Sequence, residues 1–132
     1  MPGMAYLDSS ALVKLTIREP ETAALERDLA HRSGLCCSRL GATELRRACA
    51  RAGNRRLLQR VDDVLSAVFL LEVTPSILEA AGRIGPATLR TLDAIHLATL
   101  VSIGNSDIDV ITYDDRLGAA VEEHGFAVVT PR

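Results

Sequence analysis

The sequence predicts an α/β fold in which a parallel sheet of about five strands lies between layers of helices. Two observations predict it. Short apolar runs alternate with longer helical patterns along the chain, and strand runs separated by helices read as parallel βαβ units covered on both faces. The 132 residues suffice for one sizeable core and contain no internal repeat, low-complexity segment or long Gly/Ser/Pro linker. Residues 1–132 therefore read as a single domain.

Each element has its own local signal. MAYLD (4–8) reads as a buried strand, and SSALVKL follows as a short helix capped by Ser9 or Ser10. Glu19-Pro20-Glu21 starts a second helix with proline in its first turn, followed by apolar Ala24, Leu25 and Leu29. GLCCS (34–38) is a short strand. A helix from about Leu40 carries Glu44, Leu45, Ala48 and Cys49 until Gly53-Asn54 breaks it, and 55–67 form another. VFLLEV (68–73) is a strand ended by Thr74-Pro75. Helices follow at about 76–84 and 91–103, separated by Gly85-Pro86. DVIT (109–112) is a strand, Asp115 to His124 a helix, and FAVVT (126–130) the last strand.

Composition bounds the function. With 48% hydrophobic and 24% charged residues, the chain reads as an ordinary soluble globular protein. No apolar run approaches the roughly 20 residues that span a bilayer. MPGMAYLDSS lacks the basic and apolar parts of a signal peptide, so the expected location is cytoplasmic, with no membrane partner. Cys36 and Cys37 are adjacent, Cys49 makes the count odd, and no CxxC spacing suggests zinc. The three cysteines read as small buried hydrophobes in a reducing compartment. The net charge of −2 does not advertise a nucleic-acid partner, but six arginines (46, 47, 51, 55, 56 and 60) lie within 15 positions. Aromatics are only 3%, with no Trp, which argues against a platform that stacks bases on rings.

The chemistry lies in the acids. TLDAIHLATL (91–100) is an apolar helical stretch with Asp93 in its opening turn. An ionised carboxylate costs several kcal/mol to bury unless it is paired, hydrogen-bonded or bound to a metal. In parallel α/β folds ligands collect at the carboxyl ends of the strands. Asp8 ends the first strand, Asp114 comes two residues after DVIT, Glu44 lies one turn into the helix after the second strand, and Asp93 opens a helix in the next crossover. All four can converge on one end of the sheet. A like-charged pair about 4 Å apart costs on the order of 4 kcal/mol at an effective dielectric of 20, and divalent cations reverse that sign. An oxygen-only site without Cys or His suits Mg²⁺ or Mn²⁺ rather than zinc. Two such ions about 4 Å apart can activate water and stabilise the leaving oxygen in phosphodiester hydrolysis.

YLDSSALVKL, the Glu of TEL, TLDAIHLATL and TYDDRL together resemble the signature blocks of PIN-domain nucleases, in order and over essentially the whole chain. More narrowly they resemble the VapC-type ribonuclease toxins of bacterial toxin–antitoxin pairs. The resemblance implies a PIN-like three-layer sandwich, with Asp8, Glu44, Asp93 and Asp114 as the acidic metal-binding residues. The family's last acidic position is less uniform, so Asp115 can replace or assist Asp114. Ser9 and Thr112 match small hydroxyl positions near the site that bind water or an acid. The resemblance also implies a homodimer, a cognate antitoxin whose tail blocks the acidic pocket, and an RNA substrate cut to leave a 5′-phosphate and a 3′-hydroxyl.

Plainer roles stand beside these. Asp8 also fits a helix cap, and Asp93 a favourable charge at a helix start with Thr91 as cap. Glu44 fits a surface pair with Arg47, and Asp114 a turn residue. His96, one turn after Asp93, reads as a satisfied core histidine, and His31 and His124 as helix-end surface residues. Arg116 fits a phosphate clamp or an ion pair with Asp115 or Glu122. At 100° per residue, Arg51 and Arg55 fall within about 20° of the Glu44 direction if the helix is continuous. That stripe would lead phosphates toward the metals, or be a solvated or antitoxin-binding face, and Gly53-Asn54 interrupts it.

Two other classes lose on missing parts. A haloacid-dehalogenase-type phosphatase needs a second Asp where Ser10 stands, and a receiver domain needs a phosphorylatable Asp where FLLEV carries Glu72. The remaining rival is a catalytically silent PIN-like module that only binds a protein.

Overall fold

The computed structural model describes residues 3–132. Five strands form one sheet: β1 (Met4–Leu7), β2 (Gly34–Ser38), β3 (Phe69–Leu71), β4 (Asp109–Ile111) and β5 (Ala127–Val129). Every pairing is parallel, in the order β3-β2-β1-β4-β5. The chain therefore winds outward from β1 to β3, crosses back, and winds the other way through β4 and β5. The reversal falls between β1 and β4, whose register pairs Leu7 with Ile111. At such a switch point the connections leave in opposite directions and open a crevice beyond the carboxyl ends of the strands.

Helices α1 (Ser9–Thr16), α2 (Thr22–Leu29), α3 (Arg39–Ala52) and α4 (Arg55–Ser66) precede β3. Helices α5 (Pro75–Ala81), α6 (Thr91–Ile103) and α7 (Asp115–Glu123) follow it. Successive strand residues point to opposite faces, and the core is divided accordingly. Ala5, Leu7, Cys37 and Ile111 pack with Leu12, Leu25, Leu45, Val61 and Leu65 of the first four helices. Tyr6, Cys36 and Val110 pack with Leu97 and Leu100 of α6 and Leu117 and Val121 of α7. The predicted three-layer α/β sandwich is thus the observed fold.

The local departures have physical causes. The cap of α1 is neither Ser9 nor Ser10: the Asp8 side chain accepts from the Ala11 amide, and β1 ends one residue earlier at Leu7. Helix α2 starts after Pro20, at Thr22, because the Thr22 hydroxyl and the Glu19 amide bond each other in the preceding turn. Helix α5 is displaced to Pro75–Ala81, with Thr74 as cap and proline at its first position. Helix α6 matches its predicted span, but Arg90 rather than Thr91 occupies the cap position, without a side-chain cap bond. Strand β3 is only three residues long and sits at the sheet edge, where Phe69 is 67% exposed. Gly53 takes a left-handed φ of 69° and ends α3, and Asn54 caps α4 through the Arg56 amide.

Cys36, Cys37 and Cys49 are free and buried, as expected. Burial pushes the Cys36 thiol up to about 11 and Cys37 higher still. No helix among the described residues is long and apolar enough to cross a membrane.

Candidate active site

Asp8 is set by the switch point. Its residue is 3% exposed, and its carboxylate accepts from three donors. Oδ1 takes the Ser10 hydroxyl at 2.6 Å and the Ala11 amide at 3.1 Å, and Oδ2 takes the Thr112 hydroxyl at 2.6 Å. Both hydroxyls also accept from the loop after β4: Ser10 from the Tyr113 amide at 2.9 Å, and Thr112 from the Asp114 amide at 3.0 Å. The ends of β1 and β4 are thereby stitched into one polar lattice around the acid. Burial pushes the Asp8 carboxyl up, and the Ser10, Thr112 and Ala11 hydrogen bonds oppose it. Thr112, one of the two hydroxyl residues singled out in the sequence, donates to Asp8. On the α1 side the hydroxyl that bonds Asp8 is Ser10, and Ser9 and Ser10 both line a cleft beside the acids.

Asp114 follows as the N-cap of α7. Its Oδ1 accepts from the Arg116 amide at 2.9 Å and the Leu117 amide at 3.2 Å, which leaves Oδ2 directed away from the helix. Asp115, the first residue of α7, is exposed.

Asp93 is buried at the start of α6, a helix whose residues from Asp93 to Leu100 are all buried. A helix buried on all sides has no wet face on which to place its polar groups, so Asp93, His96 and Thr99 must each find partners. Asp93 finds Arg90, one turn back. Arg90 Nε donates to Asp93 Oδ2 at 3.2 Å and Nη2 to the same oxygen at 3.1 Å. The same Nη2 lies 3.1 Å from Asp114 Oδ2. One guanidinium thus serves two of the four acids. Arg90 belongs to no motif of its own in the sequence, and its i,i+3 spacing to Asp93 at a helix start is the available signal.

Glu44 is held from behind. Its Oε1 lies 2.7 Å from His96 Nε2, and His96 Nδ1 lies 2.7 Å from the Tyr6 hydroxyl. Burial, the largest influence, keeps the Tyr6 phenol protonated. Tyr6 therefore donates to Nδ1, leaving the Nε2 proton for Glu44. His96 is a core histidine, as expected, but its second partner is an acid of the site. The expected surface pair of Glu44 with Arg47 gives way to this contact. Helix α3 comes close enough for it because Gly41 has no side chain: a Cβ there would collide with Cys37 Sγ and lie 3.4 Å from His96 Cε1.

Two clefts flank the acids. One, of about 540 Å³, is lined by Ser9, Ser10, Glu44, Arg47, Arg51 and Leu92 among others. The other, of about 420 Å³, includes Arg90, Asp93 and Arg116. Arg55 is not on the first cleft. It lies in α4 beside a separate hollow with Cys49 and Leu58, because the left-handed turn at Gly53 ends the stripe after Arg51.

The donor set is made of carboxylates and hydroxyls, the hard oxygens that suit a divalent cation. A guanidinium already bridging two of the acids shows that positive charge is accommodated there. The four acids nevertheless do not form a closed cage: among the described residues no three His, Cys, Asp or Glu side chains are close enough to hold one ion. Glu44 is turned to His96, and Asp93 and Asp114 to Arg90.

Comparison with known proteins agrees with this architecture. The profile of the PIN domain family matches residues 5–123. The chain is 44% identical to ribonuclease VapC46 of Mycobacterium tuberculosis strain H37Rv, over 96% of each chain. It is 42% identical to ribonuclease VapC47 of strain CDC 1551, over 97% of each. Among solved structures, a chain of a toxin–antitoxin complex from Klebsiella pneumoniae superposes with a TM-score of 0.73 at 22% identity, over 97% of this chain and 98% of that one. The chain belongs to the PIN-domain family, within its VapC branch.

Proposed function

We propose that this chain is an endoribonuclease toxin that cuts RNA with the help of a divalent cation, Mg²⁺ or Mn²⁺, held by Asp8, Glu44, Asp93 and Asp114. A cognate antitoxin keeps it inactive, and the working unit is a homodimer in the cytoplasm. The observation that carries the reading is Asp8, a buried carboxylate with three hydrogen-bond donors and, among the described residues, no lysine or arginine paired to it. Those hydrogen bonds offset part of the cost of burying the carboxylate, burial still pushes its pKa up, and a cation would offset the remainder. The relatives named as ribonucleases support RNA as the substrate, and the structural neighbour described as a toxin–antitoxin complex supports an antitoxin partner.

A bound divalent cation supplies Lewis acidity and a water acidified enough to attack phosphorus near neutral pH. The chain's own residues supply the rest. Ser10, Ala11 and Thr112 hold Asp8 in one orientation, and His96 and Tyr6 do the same for Glu44. Arg47 and Arg51 on one cleft and Arg116 on the other offer positive charge to successive phosphates.

The test is cleavage of RNA by the purified chain with Mg²⁺ or Mn²⁺, in EDTA, and with Asp93→Asn. Cleavage that needs the cation and Asp93 supports the proposal. Robust cleavage in EDTA, or by the Asn variant, overturns the metal mechanism. Failure to cleave any RNA favours the silent protein-binding module.

A further inference from the structure

Among the described residues Arg90 is the cation that contacts two of the four acids, Asp93 and Asp114. It stands at the cap position of α6, where a guanidinium, which has donors and no acceptor, cannot bond the helix amides. It contacts Asp93 Oδ2 and Asp114 Oδ2 instead, while Asp114 Oδ1 is taken by the cap of α7. These are carboxylate oxygens that an ion would also need. The Arg90 side chain is 62% exposed, so the contacts are wet, screened by salt and weakly held. The chain contains a second arginine between two aspartates, Arg32 with Asp28 and Asp109, and there the side chain is 4% exposed. Burial locks Arg32 in place, whereas the Arg90 guanidinium is exposed and can turn away once another cation serves the buried Asp93 carboxylate.

We propose that Arg90 is an internal counter-ion that occupies Asp93 and Asp114 until a divalent cation displaces it, and that the displaced guanidinium then positions a substrate phosphate in the cleft it shares with Arg116. This rests on the reading of the acids as cation ligands. The guanidinium and the cation carry the same sign and compete for the same oxygens, so occupancy by one opposes the other. Once displaced, Arg90 remains anchored at the wall of the cleft lined by Arg116, Thr88 and Pro86. Its planar fork suits a bidentate phosphate contact there.

The measurement is Mn²⁺ binding to the free protein, by calorimetry or by loss of the free-ion electron paramagnetic resonance signal, for wild type, R90Q, R90K and D93N. R90Q is expected to bind Mn²⁺ about three- to tenfold more tightly than wild type, since two weak exposed pairs no longer compete. R90K, which keeps the charge but loses the fork, falls between them. With saturating Mn²⁺, R90Q also raises KM for RNA several-fold more than it lowers kcat, as loss of a binding contact does. Melting in EDTA establishes that R90Q is folded. Equal or weaker Mn²⁺ binding by R90Q, with wild-type binding still dependent on Asp93, overturns competition while leaving the metal site standing. An unchanged KM overturns the phosphate role. Wild type and D93N binding Mn²⁺ equally, or not at all, defeats the reading of the acids and this inference with it.

Discussion

The two ends of strand β4 carry the same motif with opposite consequences. At its start, Asp109 shares Arg32 with Asp28, and Arg32 also reaches Asp28 through two bonds of 2.9 and 3.2 Å. Just beyond its other end, Asp114 shares Arg90 with Asp93. Each site sets one guanidinium between two aspartates. They differ in exposure: the Arg32 side chain is sealed and the Arg90 side chain is wet. A buried arginine flanked by acids is a fixed strut, because separating the charges leaves them desolvated and unpaired. An exposed one is exchangeable, since water and salt replace its partners at little cost. The same residue types in the same ratio thus make a buried clamp at one end of the sheet and a solvent-exposed contact at the other.

The largest expected effect separates the ends by activity. Asp93→Asn should lower RNA cleavage by at least about a hundredfold, as loss of a group that positions a catalytic cation does. Asp109→Asn should leave kcat nearly unchanged and lower the melting temperature instead. If Asp109→Asn lost cleavage at an unaltered melting temperature, the division between the ends would fail.

Stability comes next, with the roles reversed. Arg32→Met strands two carboxylates against a buried stem and should cost on the order of 3 kcal/mol in urea unfolding. R90Q should shift the midpoint in EDTA by much less. Equal losses in the two variants would show that exposure is not what distinguishes them.

A smaller effect tests the support behind Glu44. Tyr6→Phe removes the donor to His96 Nδ1 inside the core, and a buried acceptor left unmade costs about 1–3 kcal/mol. Cleavage should fall with it, through loosened His96 and Glu44, and the amino-end clamp gives no counterpart. Cleavage at the wild-type rate per folded molecule would remove Tyr6 from the support.

The smallest effect concerns the buried thiols. The Cys36 thiol is raised in the folded state, so the unfolded chain loses its proton first as pH rises. The stability this contributes is intact below about pH 9 and lost progressively toward about pH 11. Unfolding midpoints measured across that interval should fall, and iodoacetamide at pH 8 should label the cysteines only after denaturant is added. Rapid labelling of the native protein would contradict their burial.

How far the sequence reaches depends on which force decides a given residue. Helix α6 emerged with its observed limits, because a long apolar run flanked by Pro86 and Gly104 has few alternatives. Asp8 and Asp93 stand out in the sequence because carboxylates in apolar surroundings demand an explanation, while Glu44 and Asp114 rest on their places after strands and in the family's blocks. The cap of α1 was misassigned because Asp, Ser and Ser stand in succession, and each is a good cap. Only the tertiary contact with Thr112, 104 residues away, draws Asp8 into the cap. Arg55 was placed in line with Glu44 only on a continuous helix, and the turn at Gly53 removes it. Arg90 and Tyr6 went unremarked for a different reason. Their importance lies in whom they meet across the switch point, and no local pattern carries that information.

The most direct check of the site is a crystal of the protein grown with Mn²⁺ and its anomalous difference map. The expected result is a peak beyond the carboxyl ends of β1 and β4, bounded by Asp8, Glu44, Asp93 and Asp114, with Arg90 turned into the cleft beside Arg116. A map without a peak there at saturating Mn²⁺, or with one beside Asp28 and Asp109 instead, would contradict it.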